Sequence, residues 1–220
     1  TNGRLNISGS PQFLGHVSSV ATEINGSGTG GFSGGLTLGA TPIPVQVPSI
    51  FLSPISAAAA IPGKGLFLNG DTTIEFIDGG GMWVTNGGGP KKLSSLPANG
   101  AIYVEGGNLE ISGTLNGKIT VGVGKVGSAG GDITIVGDLK YAGPRDANDL
   151  PTSPDNMLGL VANESVYVGQ MPQSDLEINA YIVALDGSFV FPKYDSIGKG
   201  TLKLYGGIMQ IVKGPVGLVG

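Results

Sequence analysis

Glycine interrupts this sequence so often that few long regular elements can form in it. Between residues 101 and 122, turn residues recur every few positions, at Gly106-Gly107, Gly113, Gly117 and Gly122. The short runs between them are rich in Ile, Val and Tyr, and several alternate apolar with polar residues, which is typical of strands with one buried face. Asn-Gly and Asp-Gly pairs bound many of the runs and tolerate positive φ. The pattern predicts an all-β protein.

The chain has enough apolar surface to fold despite its turn-rich composition. It contains 41 glycines and 14 prolines, a proportion that can indicate disorder or a fibrous repeat. However, 40% of the residues are hydrophobic, 13% are charged and the mean hydropathy is +0.21. No Gly-X-Y period runs through the sequence, which excludes collagen.

The spacing of the turns favours one all-β architecture over the others. Helical periodicity free of Gly or Pro is absent, which argues against an α/β fold with helical crossovers. An antiparallel sandwich or barrel normally has longer strands and wider turn spacing. We therefore expect a parallel β-solenoid (β-helix) of short glycine-punctuated strands, with coils of about 20–25 residues that fill 64–142 and 157–213.

Two segments interrupt the strand pattern within what we expect to be a single domain over residues 1–220. Residues 25–63 are rich in Gly and Pro and are predicted to be an extended, loop-like insertion that lies along the solenoid as a flap. Residues 143–156 contain three prolines and three acids and are predicted to be a polar surface loop.

Charge and residue content exclude several function classes. The net charge is −4 and the pI about 4.9, so the overall field gives no reason to expect nucleic-acid affinity. There is no cysteine, which excludes disulfides and thiolate chemistry. The longest plain apolar stretch, 57–61, is far too short to span a bilayer.

Catalytic and metal-binding chemistry finds little support in the sequence. Acids that could serve a polysaccharide-acting β-helix enzyme mostly adjoin glycine, where turn formation is the favoured interpretation; they are Asp71, Glu75, Asp78, Asp132 and Asp138. His16 is the sole histidine and lacks the partners of a triad or a metal site. We expect no catalytic residue, no metal and no cofactor.

Nucleic-acid binding would have to be local and to depend on lysines. Lys91 and Lys92 follow a Gly-rich stretch, eight residues after the only tryptophan, Trp83, and are expected on a mobile loop with Lys64 as a neighbour. Lys199, Lys203 and Lys213 make the C-terminal part basic and could add phosphate contacts. The alternative interpretation is that all six are ordinary solvated lysines.

Three blocks of the sequence resemble β-solenoid modules of bacterial type IV pilus-associated proteins. The first is residues 1–17, with the motif Thr1-Asn2-Gly3-Arg4-Leu5; the second combines 159–162, 176–180 and 184–189; the third is 200–217, with Tyr205-Gly206-Gly207-Ile208. The resemblance covers about half of the chain and includes PilX-like proteins and ComZ-like competence minor pilins. The sequence lacks the hydrophobic N-terminal helix of that family.

The resemblance implies a non-enzymatic module on the outside of a cell-surface pilus. It implies excision from a longer membrane-anchored protein, contact with a membrane only through a segment absent from this chain, and other pilins of the pilus tip as partners. In the ComZ-like branch it implies extracellular DNA capture and uptake during natural competence. An adhesion module for surface glycans or partner pilins is the alternative, and a polysaccharide-acting enzyme is third.

Overall fold

The structure is a computed structural model that describes residues 3–7, 10–26, 28–42, 48–153, 155–169, 175–196, 200–212 and 214–215. The chain divides into two compact units, one formed mainly by residues 1–46 and the other by residues 47–217. No helix among the described residues has the length and apolar character needed to cross a membrane.

In the part of the first unit that the structure describes, six short strands pair in parallel. The strands are β1 (Leu5–Asn6), β2 (Gln12–Phe13), β3 (Val17–Ser19), β4 (Ile24–Asn25), β5 (Gly31–Phe32) and β6 (Leu36–Leu38). β1 pairs with β4, β2 with β5 and β3 with β6. The register is constant at 19 residues, as in Leu5 with Ile24, and the paired rings of Phe13 and Phe32 stack with centroids 4.9 Å apart.

This pairing reflects a literal repeat that the sequence reasoning missed. Residues 5–22 and 24–41 are identical in sequence at seven positions of the 19-residue offset, namely Asn6, Ser8, Gly9, Phe13, Gly15, Ala21 and Thr22. The expectation that residues 25–42 are an extended insertion is therefore wrong, because this stretch provides β5 and β6 as the second copy of the repeat.

The second unit is built on a 13-stranded, mostly parallel sheet that curls. Its strands are β7 (Leu66–Asn69), β8 (Thr72–Phe76), β9 (Met82–Asn86), β10 (Lys91–Leu93), β11 (Ala101–Glu105), β12 (Leu109–Leu115), β13 (Lys118–Gly124), β14 (Ile133–Tyr141), β15 (Met157–Ala162), β16 (Val166–Val168), β17 (Leu176–Ala184), β18 (Phe189–Val190) and β19 (Leu202–Gln210). Among the strand pairs of the described residues, only the hairpin steps β8–β9 and β9–β10 are antiparallel.

Parallel pairs join each strand to its equivalent further along the chain. One stack runs β7, β11, β13, β15 and then β17, and a second runs β8, β12, β14, β16 and β18. The long strands bend from one stack into another. In β14, for example, Ile133 pairs with Val166 of β16, whereas Leu139 pairs with Ile178 of β17.

A single apolar core fills the inner side of this sheet. Ile102, Val121 and Leu160 lie in register on neighbouring strands and are 0% exposed. Ile111 and Ile135, from the second stack, are equally buried and belong to the same cluster. Stacked aliphatic side chains therefore hold the strands together, because each one loses nearly all of its contact with water on folding.

The expectation of an extended chain is also wrong for residues 48–59, which form the helix α1 (Pro48–Ala59). Pro54 lies inside the helix, where it removes a backbone hydrogen bond. A proline at such a position normally indicates the end of a helix, so the sequence did not predict this one. Packing compensates for this cost. Leu52 and Ala59, 5% and 2% exposed, pack in one cluster with Tyr103 and Val161 on the outer side of the sheet.

The rest of the β-rich prediction is confirmed at the level of parallel strand pairing. Short strands form from Leu66 onward within 64–142 and 157–213, the stretches expected to hold the coils, and glycines with positive φ lie at many of their corners. The segment 143–156 lies between β14 and β15, where an isolated bridge joins Arg145 and Pro151.

Candidate ligand-binding groove

A polar groove of about 480 Å³ lies on the face of the second stack that is opposite the core. Strand alternation creates this face. In β12, Leu109 and Ile111 point into the core and are 0% exposed, whereas Glu110 between them is exposed. The same alternation places Thr73 of β8 and Thr134 of β14 on the groove side.

Register aligns five of the lining residues into one row across the strands. This outer row consists of Thr85, Thr73, Glu110, Thr134 and Tyr167, which lie on β9, β8, β12, β14 and β16. The Thr73 hydroxyl lies 3.5 Å from Oε2 of Glu110. The row therefore offers hydroxyl and carboxylate groups to a ligand, and it ends at the aromatic ring of Tyr167.

A ladder of polar side chains forms the corner beside the outer row. This corner ladder consists of Asp71, Asn108, Asp132, Ser165 and Ser188, each directly before a strand of the second stack. Asp71 Oδ1 accepts the backbone N–H of Asn108 at 2.9 Å, and Asn108 Oδ1 accepts that of Asp132 at 3.1 Å. Asp132 Oδ1 accepts the N–H of Ser165 at 2.9 Å, and Ser165 Oγ that of Ser188 at 3.2 Å.

The ladder explains two of the acids that the sequence singled out. Asp71 and Asp132 each accept a backbone N–H of the next coil, so both carboxylates have a structural role at a corner. Together with Glu110 they also bring three carboxylates to one groove. No lysine or arginine is among the described residues that line it, so the groove is negatively charged.

The candidate lysines are dispersed over the described part of the chain. Lys64 lies in the turn between α1 and β7, where its carbonyl accepts the N–H of Asn99 at 3.2 Å. Lys203 lies on β19 and pairs with Asp149 at 3.0 Å. Lys199 and Lys213 lie outside the described residues.

Lys91 and Lys92 form part of the edge strand β10, not a mobile loop as the sequence suggested. The strand forms because its residues pair with β9, Lys92 opposite Trp83. The ammonium of Lys92 lies 5.9 Å from the centroid of the Trp83 ring, which is 39% exposed. Lysines on an edge strand also discourage pairing with another chain, so this position has a purely structural explanation as well.

Lys203 belongs to an ion-pair cluster that holds the 143–156 segment to the sheet. Arg145 contacts Asp149 at 2.6 Å and Glu177 of β17 at 2.7 Å, and Lys203 contacts the other carboxylate oxygen of Asp149. The hydrogen bonds from Lys203 and then Arg145 hold the pKa of Asp149 below its usual value. The charge of Lys203 is therefore already balanced within the protein.

The remaining candidates have local roles or no partner in the groove. Nε2 of His16 lies 2.9 Å from Oγ1 of Thr37 in the first unit. The Asp138 carboxylate contacts Lys140 at 2.6 Å and accepts the N–H of Glu177 at 2.9 Å. Burial raises the pKa of Asp138, but these hydrogen bonds outweigh it and leave the pKa lowered. Within the described residues no cluster of three or more His, Asp or Glu side chains is arranged to hold a metal ion.

Sequence reasoning missed Asn108, Glu110, Thr134 and Tyr167 as members of a common site. A local signal for them exists, because a polar residue that follows or nearly follows a glycine precedes most strands of the second stack, as in Gly70-Asp71 and Gly131-Asp132.

Comparison with known proteins does not assign the chain to a family. No protein-family model, no curated protein and no solved structure matches the chain.

Proposed function

We propose that this chain is a non-enzymatic extracellular module that binds a surface glycan through the groove. The supporting observation is the outer row, which combines aligned hydroxyl and carboxylate groups with the ring of Tyr167. Carboxylate oxygens accept hydrogen bonds from sugar hydroxyls, and an aromatic ring packs against the C–H face of a sugar. A concave surface with a few convergent polar groups is the usual form of a ligand site.

The hydrogen bonds of the groove favour binding over catalysis. Glycosidic hydrolysis uses two carboxyl groups, one as acid and one as base or nucleophile. In this groove Asp71 and Asp132 each use Oδ1 to accept a backbone N–H and thereby fix the fold of a corner. Glu110 is the exposed carboxylate, and it can accept hydrogen bonds from a ligand without disturbing a corner.

The scaffold and its cellular context are part of the same proposal. We propose that β7–β19 close into a parallel β-solenoid, which is supported by the stacked parallel register and by the single core shared by the stacks. A crystal structure with one side of that core open to solvent would contradict closure. The resemblance of three sequence blocks to pilus-associated modules supports display on a type IV pilus with other pilins as partners, and co-purification with sheared pili tests it.

Affinity electrophoresis in gels that contain neutral polysaccharides tests the glycan function. We expect retardation of the chain, and we expect Glu110→Gln to weaken binding about ten-fold, because a hydrogen bond to a charged acceptor is replaced by a neutral one. Glu75→Gln is the matched control, since Glu75 is exposed on β8 but does not line the groove. Absence of retardation in every neutral polysaccharide, or an equal effect of both variants, would refute the proposal.

DNA capture is a second candidate, and the hairpin of β9 and β10 supports it. Lys91 and Lys92 are exposed beside the partly exposed ring of Trp83, a combination of cations and an aromatic surface that suits single-stranded nucleic acid. A gel shift at low salt should weaken with rising salt and in Lys91→Ala/Lys92→Ala, but not in Lys64→Ala. A shift that persists in the double variant would remove the hairpin from consideration.

A further inference from the structure

The groove extends across the strands, not along one of them. The outer row takes one residue from each of five neighbouring strands, from Thr85 on β9 to Tyr167 on β16. Because paired strands lie about 4.8 Å apart, the four steps between these residues cover about 19 Å. Such a length fits an extended segment of a polymer better than a single small molecule.

The charge of the groove limits the chemistry of that polymer. Asp71, Glu110 and Asp132 line it, and no cation is among the described lining residues. A polyuronate, a sulfated glycan or a nucleic acid would bring like charges close to these carboxylates, which is unfavourable. The hydroxyls of a neutral sugar can instead donate hydrogen bonds to them at successive strands.

The polar row has a defined end at Tyr167. The next residue in register, on β18, is Val190, which offers no hydrogen-bonding side chain. The phenol ring therefore stands between a polar row and an apolar position. An aromatic ring at the end of a polar track is suited to stack on the terminal sugar of the bound segment.

We propose, on the basis of the glycan-binding function above, that the groove binds a linear, unbranched, neutral polysaccharide whose chain crosses the strands. About one sugar lies over each strand, because the strand spacing is close to the advance per residue of an extended 1,4-linked hexopyranose chain. Thr73, Glu110 and Thr134 bind successive sugars, and Tyr167 stacks on the sugar at one end.

Isothermal titration calorimetry with cello-oligosaccharides and chito-oligosaccharides of one to six units tests this arrangement. We expect affinity to increase with each added unit up to about four or five units, the length of the row, and then to level off. Tyr167→Ala should weaken binding of the longest chains about ten-fold, and Tyr167→Phe should restore it, because the stacking ring is lost and regained. Tyr181→Ala is the matched control, since Tyr181 is an exposed tyrosine of β17 that does not line the groove.

The outcomes separate this inference from the function on which it rests. Binding of a neutral sugar with no dependence on chain length would overturn the crossing arrangement and leave glycan binding intact. Equal losses in Tyr167→Ala and Tyr181→Ala would overturn the role of Tyr167. Failure of every neutral oligosaccharide to bind, with circular dichroism that shows folded protein, would overturn both proposals.

Discussion

Replacement of Gly113 by alanine should destabilise the sheet far more than the same replacement at Gly79 or Gly88, where a side chain has open space. Gly113 lies at the register irregularity of β12, with φ +105°, and it pairs with Phe76 of β8. A Cβ atom at this position would lie 2.2 Å from the carbonyl oxygen of Phe76 and 2.7 Å from its nitrogen. Both atoms belong to the backbone, so the β8–β12 ladder itself would have to move.

The expected loss of stability in Gly113→Ala is the sum of two separate costs. The left-handed backbone costs a residue with a side chain about 1–2 kcal/mol. Opening the ladder at Phe76 weakens one or two hydrogen bonds at about 1 kcal/mol each and disturbs the core around a side chain that is 3% exposed. We therefore expect a loss of about 3 kcal/mol or more in the free energy of unfolding.

Two other glycines separate strain from steric conflict. Gly79 has φ +91°, but a Cβ there meets nothing within 4 Å, so Gly79→Ala should cost only the backbone strain of about 1–2 kcal/mol. Gly88 also faces open space and shows no positive φ, so Gly88→Ala should change stability by less than about 0.5 kcal/mol.

Urea unfolding provides the measurement, followed by fluorescence of the sole tryptophan, Trp83, and by far-ultraviolet circular dichroism. Trp83 lies on β9, which pairs with β8, so its signal reports on the sheet that Gly113 disturbs. If Gly113→Ala costs no more than Gly79→Ala, the close approach to Phe76 is not a constraint and the reasoning fails.

Two further predictions concern pH. Lys203 and Arg145 lower the pKa of Asp149 below 3.8, so its ion pairs stabilise the fold above that pH and this stability is lost as the pH falls through the lowered pKa. In an acid titration, the free energy of unfolding of Asp149→Asn should therefore change less than that of the wild type. An identical profile for the two proteins would contradict the role of the cluster. Burial, followed by the charge of Glu105, raises the pKa of Tyr103 above 10.0. Stability should therefore fall as the pH rises beyond 10, because the tyrosine ionises first in the unfolded chain. Tyr103→Phe should reduce this loss in urea titrations at alkaline pH, and an unchanged loss would show that Tyr103 does not cause it.

The strands were predictable because their determinants are local. Turn residues with positive φ, such as Gly70 and Gly106, end one strand and permit the next within a few residues. Alternation within each run then shows which side chains face the core. Parallel pairing could be inferred because such short strands and close turns leave little room for a sandwich, but the register between coils is not a local property.

Helix α1 was not predictable by the same means. Its sequence contains Pro54, which a local rule treats as a break, and the compensating contacts come from Tyr103 and Val161, far along the chain. Tertiary packing therefore overrode local propensity. The 19-residue repeat is a different case, because Phe13 and Phe32 and their neighbours could have been found by comparing the sequence with itself.

The groove depends on the register between the strands, and this register cannot be predicted from a sequence period when the coils differ in length. From Asp71 to Asn108 the chain includes the β9–β10 hairpin, and from Asp132 to Ser165 it includes the polar loop, so no fixed period connects these residues. Their common context connects them instead, since each comes directly before a strand.

Alignment of the chain on these corner residues recovers the site. The second residue after each corner points to the outer face, because the residue between them begins a strand with its side chain toward the core. This rule yields four of the five residues of the outer row, all except Thr85, and it also yields Val190, where the row ends: the positions are Thr73, Glu110, Thr134, Tyr167 and Val190. A side chain in the corner ladder that accepts an N–H from the next coil thus fixes both the fold of the corner and the position of the residue that faces a ligand. Variation of the corner residues should therefore change stability and register, whereas variation two residues later should change specificity.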